Sequence, residues 1–306
     1  MLPRILLVLA LSLSQGLAPS SRAVDDDAHV VVFASGRSAN GDLYVIESPG
    51  AEPRLLAGTA APEGSPRWDG ARARLVYQRF PADGEEGPTW LVAHTAGAEP
   101  DAGVPLFEDP NGDAAPRWSP DGKWIAFIAE HDGRTDVFVA AADGSGERRL
   151  TDDDVVDRYP AWDPESRHLV FARQLASGWD LFTLDVGDPD AEPVRRTEEG
   201  RYVGHPAWSA DGRFLAFDTV FEGDVEIAAL ELESGEIRRL TRRPGNDLVP
   251  SWSPDGMRVV FGGVSPSDGN WDVYEVEVDS GEIQRLTTDP AFDGAPLYVP
   301  VSMLGP

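Results

Sequence analysis

A short phrase built on Pro-x-Trp returns along the chain: PRWDGARARLVY at Pro66, PRWSPDGKWIAF at Pro116, PAWDPESRHLVF at Pro160, PAWSADGRFLAF at Pro206 and PSWSPDGMRVVF at Pro250. The tryptophans, Trp68, Trp118, Trp162, Trp208 and Trp252, are spaced by 50, 44, 46 and 44 residues. Nine residues after each comes Tyr77, Phe127, Phe171, Phe217 or Phe261. A fixed period of this length means a repeat architecture, in which each unit buries its faces against its neighbours.

Within a unit the apolar residues alternate at close to period two, as in KWIAFIA and DVFVAA, so the elements are short strands rather than helices. Ser-Pro-Asp-Gly at Ser119 and Ser253 joins a proline suited to an early turn position to a glycine that accepts positive φ, which reverses the chain tightly. Third strands read GDLYVIE from Gly41, TDVFVAA from Thr135, WDLFTLD from Trp179 and WDVYEVE from Trp271; fourth strands end at RRLT near Leu150 and Leu240 and at QRLT near Leu286. Four strands per repeat make a propeller blade.

The two ends supply the missing pieces of one another. HVVVFAS from His29 matches a second strand, with Phe33 in the role of Phe127, and no first strand precedes it. That strand returns as FDGAPLYVPVS, with Pro296 at the proline position and Tyr298 at the tryptophan position, 46 residues after Trp252. The expectation is an all-β, six-bladed propeller over residues 24–306, closed by pairing of N- and C-terminal strands, which removes an open sheet edge.

Residues 1–23 read as a secretory leader: Arg4, an apolar run from Ile5 to Leu13, then Ser21-Arg22-Ala23, with the mature chain beginning near Val24. The run is shorter than the ~20 apolar residues that cross a bilayer, and no later segment is apolar enough to do so. This predicts a periplasmic or secreted protein without a transmembrane segment after cleavage. The 53 acidic residues outnumber the 26 basic ones, for a formal charge of −27, which disfavours nucleic acid and anionic membranes as partners. With no cysteine the chain has no disulfide, thiolate metal site, cysteine nucleophile or lipidated N-terminal cysteine.

The repeat RLTRRPGNDLVPSWSPDGMRVVFGG from Arg239 resembles the repeat of the TolB-type propellers of bacterial envelopes, and the resemblance runs through essentially everything after Val24. Similar repeats occur in oligogalacturonate lyases and in the propeller domains of tricorn-type and prolyl-oligopeptidase-type peptidases. TolB itself carries an α/β domain ahead of its propeller, whereas only a few residues separate the expected cleavage site from the first strand here, so no such domain is expected. No G-x-S-x-G nucleophile elbow is present, so a peptidase is not expected.

In a propeller the loops entering each innermost strand converge with the loops between second and third strands at one mouth of the central channel. Five residues before the tryptophan position the blades read Glu63, Asp113, Asp157, Val203, Asp247 and Asp293. Such acids suit calcium or a basic partner group, because hard cations take oxygen ligands; alternatively they accept backbone N–H bonds and fix the turn. The loop EEGRYVGHPAW breaks the pattern, replacing the acid with Val203 and supplying Arg201, Tyr202 and His205, with Arg158 and Tyr159 entering the preceding blade. A histidine there is a possible base or metal ligand, as the resemblance to oligogalacturonate lyases implies, or a turn residue. DDDVVD from Asp152 to Asp157 reads as a solvated charge cluster on a loop, with metal binding the alternative.

The function expected from these residues is a noncatalytic binding or scaffold module for an envelope protein, peptide or glycan. The binding set is Glu63, Asp113, Asp157, Arg158, Arg201, Tyr202, His205, Asp247 and Asp293. The alternatives are a metal-assisted, oligogalacturonate-lyase-like enzyme on acidic oligosaccharides, or a propeller stabilised by calcium.

Overall fold

The structure is a computed structural model, and it describes residues 29–304 apart from 39–40, 82–88, 96, 110–115, 132, 199 and 201. The leader expected at residues 1–23 lies outside the described residues, as do Asp113 and Arg201.

Six four-stranded antiparallel sheets stand in a ring. Blade 1 combines Asp293–Pro300 from the C-terminus, as its innermost strand, with His29–Ser35, Asp42–Ile46 and Arg54–Ala57. Blades 2 to 6 follow in sequence order, with innermost strands Glu63–Asp69, Arg117–Trp118, Asp157–Trp162, Val203–Trp208 and Asp247–Trp252. The closure expected from the sequence is the one observed: His29 pairs with Pro300, Val31 with Tyr298 and Ser35 with Asp293. Besides strands the described residues include two short 3-10 turns, Gly70–Arg72 and Val301–Leu304, the first capped by the Asp69 carboxylate. The period-two pattern held no signal for either.

The repeated residues hold blade to blade. Phe33, Tyr77, Phe171, Phe217 and Phe261 are fully buried at the centre of the second strands, whereas Phe127 is half-buried. Trp162, Trp208 and Trp252 each donate Nε1–H to a carbonyl of the preceding blade: Arg117 O at 2.9 Å, Ala161 O at 3.3 Å and Ala207 O at 3.2 Å. A buried indole needs such an acceptor, which is why the tryptophan recurs in phase. The expected tight reversals are present, with Gly122, Gly212 and Gly256 at φ of +70°, +71° and +70°, where only a residue lacking Cβ is unstrained. Ser119 N–H bonds Trp124 O, and Ser119 Oγ donates to Asp121 Oδ1.

The RRLT motif is a lock between third and fourth strands. Arg149, Arg195, Arg239 and Arg285 pair with the buried acids Asp136, Asp180, Glu226 and Asp272 at 2.5 to 2.8 Å. The threonine two residues on accepts a backbone N–H from the third strand, as Thr241 does from Ile227, and its hydroxyl donates to the same acid. One arginine and one threonine thus satisfy a carboxylate that would otherwise be costly to bury.

Candidate functional site

The innermost strands of blades 2, 4, 5 and 6 open onto the channel through the same irregularity. The register against the second strand slips just before the proline, between Gly64 and Arg67, Arg158 and Ala161, Gly204 and Ala207, and Leu248 and Ser251. The residue inside each slip is left-handed: Ser65, Tyr159, His205 and Val249, with Ala295 in the closing blade, have φ between 43° and 57°. A bulge re-aims a side chain, and here it brings Tyr159, His205 and Val249 to the channel wall. For Val249, β-branched, the conformation is strained.

The acids at the strand entrances are neutralised one by one. Glu63, Asp157, Asp247 and Asp293 are buried, and each has its own arginine: Arg79 at 2.8 Å, Arg173 at 2.8 Å, Arg243 at 2.5 Å and Arg37 at 2.7 Å. The mouth therefore carries ion pairs where the sequence offered either a cation-seeking ring or turn-fixing acceptors. In blades 2 and 4 the arginine lies directly across the ladder, Glu63 facing Arg79 and Asp157 facing Arg173. In blade 6 the facing residue is Gly263, and Arg243 reaches in from the entering loop to fill that space; a Cβ on Gly263 would collide with its guanidinium. Burial nonetheless raises the carboxyls of Glu63 and Asp157 and lifts Asp247 to about 7, against the pull of the arginines.

The cluster from Asp152 to Asp157 is not uniformly solvated. Asp152, Asp153 and Asp154 are exposed, but Asp157 is fully buried, because the strand begins there and turns it inward. Asp136, Asp153 and Asp157 bring ligand oxygens within 4.8 Å of one another. Arg173 stands where a cation would, bonding Asp153 at 2.6 Å and Asp157 at 2.8 Å.

Blade 5 departs from the pattern as a unit. Val203 replaces the acid, and the residue facing it is Thr219 rather than arginine. The hydroxyl of Thr219 donates to Tyr202 O at 2.7 Å. His205 Nδ1 lies 2.7 Å from Asp218 Oδ2, which also accepts Val249 N–H at 3.0 Å. The His205 ring is 4.1 Å from that of Tyr159. The Tyr202 hydroxyl faces the other oxygen of Asp218 across Gly204, and burial together with that negative charge raises the phenol far above its ordinary value. Sequence reading found Tyr202 and His205 but missed Asp218, the fully buried acid that fixes both. Its signal was present: Gln78, Ala172, Gly262 and Ala34 stand at that position in other blades.

Aromatic rings floor the mouth. Four residues before the tryptophan position stand Gly64, Gly204 and Gly294, and over each lies a ring from the entering or second-to-third loop: Phe80, Tyr202 and Phe292. A Cβ on Gly294 would come 2.6 Å from Phe292 Cζ, and one on Gly64 3.3 Å from Phe80 Cε2. Phe292 is 51% exposed and packs on Trp271 at 6.3 Å, while the exposed Arg158 lies 5.7 Å above the Trp179 ring. His29, His94 and His168 are placed elsewhere; His94 is buried in the third strand of blade 2, where burial lowers its basicity.

Against known proteins, a family model described as "TolB beta propeller domain" matches residues 27–203 and 197–301. The uncharacterized peptidase YuxL of Bacillus subtilis is 26% identical over 197 residues, taking in 63% of this chain and 28% of that protein. A TolB homologue of Chlorobium luteolum is 30% identical over 149 residues, 49% of this chain and 33% of the homologue. The chain thus spans about a third of the length of these curated relatives. Crystalline TolB from Acinetobacter baumannii superimposes with a TM-score of 0.73 at 19% identity, covering 89% of this chain and 67% of that one. At that identity the likeness is one of fold.

Proposed function

Because the chain belongs to the TolB β-propeller domain family, we propose that it is an exported, noncatalytic binding module that engages a protein, peptide or glycan of the cell envelope through its channel mouth. The observation that carries this reading is the aromatic floor: Phe80, Tyr202 and Phe292 laid over glycines, with Trp271 against Phe292 and Trp179 beneath Arg158. Rings presented this way offer apolar area at low entropy cost, and aromatic and arginine side chains are the usual anchors of interfaces. The ion pairs beneath keep that floor rigid and leave little bare negative charge at the mouth. A polypeptide is the first candidate, since the relatives include Tol-Pal system proteins. The leader-like residues 1–23 support export, and no helix among the described residues is long and apolar enough to cross a membrane.

The test immobilises the chain from Val24 onward and compares capture from envelope extract by wild type, Trp271→Ala, Phe292→Ser and Met257→Ser. Met257 is 64% exposed on a first-to-second strand turn, at the opposite face. Stoichiometric recovery of one partner by wild type and Met257→Ser, lost in the two mouth variants, is expected. Equal recovery by all four, or turnover of pectic fragments by the purified chain, would overturn the reading.

A further inference from the structure

The lock between third and fourth strands is complete in blades 3 to 6 and missing from blade 1. Asp42 holds the place of Asp136, Asp180, Glu226 and Asp272. Leu55 faces Tyr44 where Arg149 faces Phe138 and Arg285 faces Tyr274, and Ala57 stands where those blades have threonine. The acid has been kept and both of its partners replaced by apolar residues. Asp42 is 5% exposed, and its Oδ1 receives no hydrogen bond among the described residues. Arg54, the arginine of its own fourth strand, is turned to Glu47 at 3.7 Å.

Across the seam Asp42 meets another acid. Glu63 opens blade 2, its N–H bonds Gly41 O at 2.9 Å, and its carboxyl lies within hydrogen-bonding reach of the Asp42 carboxyl. Asp157, Asp247 and Asp293, at the same position in other blades, are one carbon shorter. Gly58 lets the chain close over the pair, since a Cβ there would come 2.7 Å from Asp42 Cγ. Glu63 takes the donors of this seam: Arg79 Nε and Thr59 Oγ1 reach Oε1 at 2.8 Å, and Thr59 N–H reaches Oε2 at 3.3 Å. Tyr77, whose hydroxyl lies 3.3 Å from Arg79, is held as the neutral phenol by burial, which pushes it up to about 12. Arg37 approaches from blade 1 through Ser35, which faces Asp42, but is committed to Asp293 at 2.7 Å. One arginine therefore serves two buried carboxyl groups.

Two carboxylates in contact away from water cannot both stay ionised, and one proton between them turns their repulsion into a hydrogen bond. We propose that Asp42 and Glu63 share one proton across the seam of blades 1 and 2, a latch that weakens as pH rises. A proton suits the place better than calcium, which takes about six or more oxygen ligands, where Arg79 already stands. Burial, aided by the contact with Asp42, raises Glu63 above its ordinary 4.5 against the pull of Thr59 and Arg79. The stabilisation is thus fully present below pH 4.5 and is lost as pH rises through the raised, folded-state value. Gly64, the floor glycine beneath Phe80, directly follows Glu63, so a loosened seam is a loosened edge of the mouth.

Thermal unfolding of the full chain from pH 5 to pH 8 at fixed ionic strength compares wild type with three variants. Asp42→Asn removes one acid of the pair, Leu55→Arg with Ala57→Thr installs the lock of blades 3 to 6, and Asp279→Asn removes an exposed acid. Wild type and Asp279→Asn are expected to lose melting temperature together as pH rises. The two seam variants are expected to lose less, so that Asp42→Asn melts above wild type at pH 8 by about 2 °C or more. Infrared difference spectra at pH 6, with Asp247→Asn in both chains, are expected to show a protonated carboxyl in the chain that keeps Asp42 and not in Asp42→Asn. Parallel melting curves for wild type and both seam variants would overturn the proposal. So would calcium raising the melting temperature of wild type at pH 8 but not that of Asp42→Asn, which would put a cation where the proton is assigned.

Discussion

Replacing Arg173 with threonine should be far more damaging alone than in company with Asp157→Val. Arg173 donates two hydrogen bonds of 2.8 Å to Asp157, with the side chains 8% and 0% exposed. Removing the arginine strands a buried carboxylate beside Asp136 and Asp153, whose oxygens lie within 4.8 Å of it; breaking a buried pair this way costs about 3–5 kcal/mol. Asp157→Val alone should cost less, since Arg173 keeps Asp153 at 2.6 Å. The double variant installs the Val203 and Thr219 combination that blade 5 already tolerates at the same register, and should fall within about 2 kcal/mol of wild type, because exchanging both members of a buried pair is often neutral. Urea unfolding followed by tryptophan fluorescence gives the four free energies, and the cycle isolates a coupling of about 2 kcal/mol or more. A single Arg173→Thr cost below about 1 kcal/mol, or a double variant as weak as the two singles summed, would refute the claim that these pairs are mutually dependent.

Trp252→Phe should cost about 1 kcal/mol through loss of the bond to Ala207 O, 3.2 Å long, measurable in the same denaturation assay. Asp247 has its folded-state pKa raised from 3.8 to about 7. A raised carboxyl favours folding while protonated, so its contribution is fully present below pH 3.8 and is lost as pH rises towards about 7. Stability measured from pH 4 to pH 8 should therefore decline more steeply in wild type than in Asp247→Asn. Chelator should leave the melting temperature unchanged, because Arg173 already neutralises the acids that approach closest; a fall of several degrees on adding it would show a cation competing there.

The architecture was legible because its determinants recur. The spacing of tryptophan and phenylalanine fixed strand order, and the absent first strand at His29 pointed to Pro296 and Tyr298 for closure. The mouth residues were legible as positions, and their state was not. Nothing local to Asp157 announces Arg173, which arrives 16 residues later across a ladder, and Arg243 reaches Asp247 from a loop only because Gly263 leaves a vacancy in the facing strand. Asp218 was not legible because it lies in a second strand, and only the fold brings it under the loop that carries Tyr202 and His205. The lock missing from blade 1 stood in the sequence itself, as RLLA at Arg54 beside RRLT at Arg148. The glycines at 64, 204 and 294 were likewise visible, but that a ring lies over each is a matter of three dimensions.

Hydrogen–deuterium exchange of the chain with and without its captured partner tests the binding face most directly. The account predicts added protection at the loops around Phe80, Ser177, Glu222, Asp268 and Phe292, and none at the turns around Asp121, Ser166, Asp211 and Asp255. Protection confined to those turns, or to the outer strands, would contradict it.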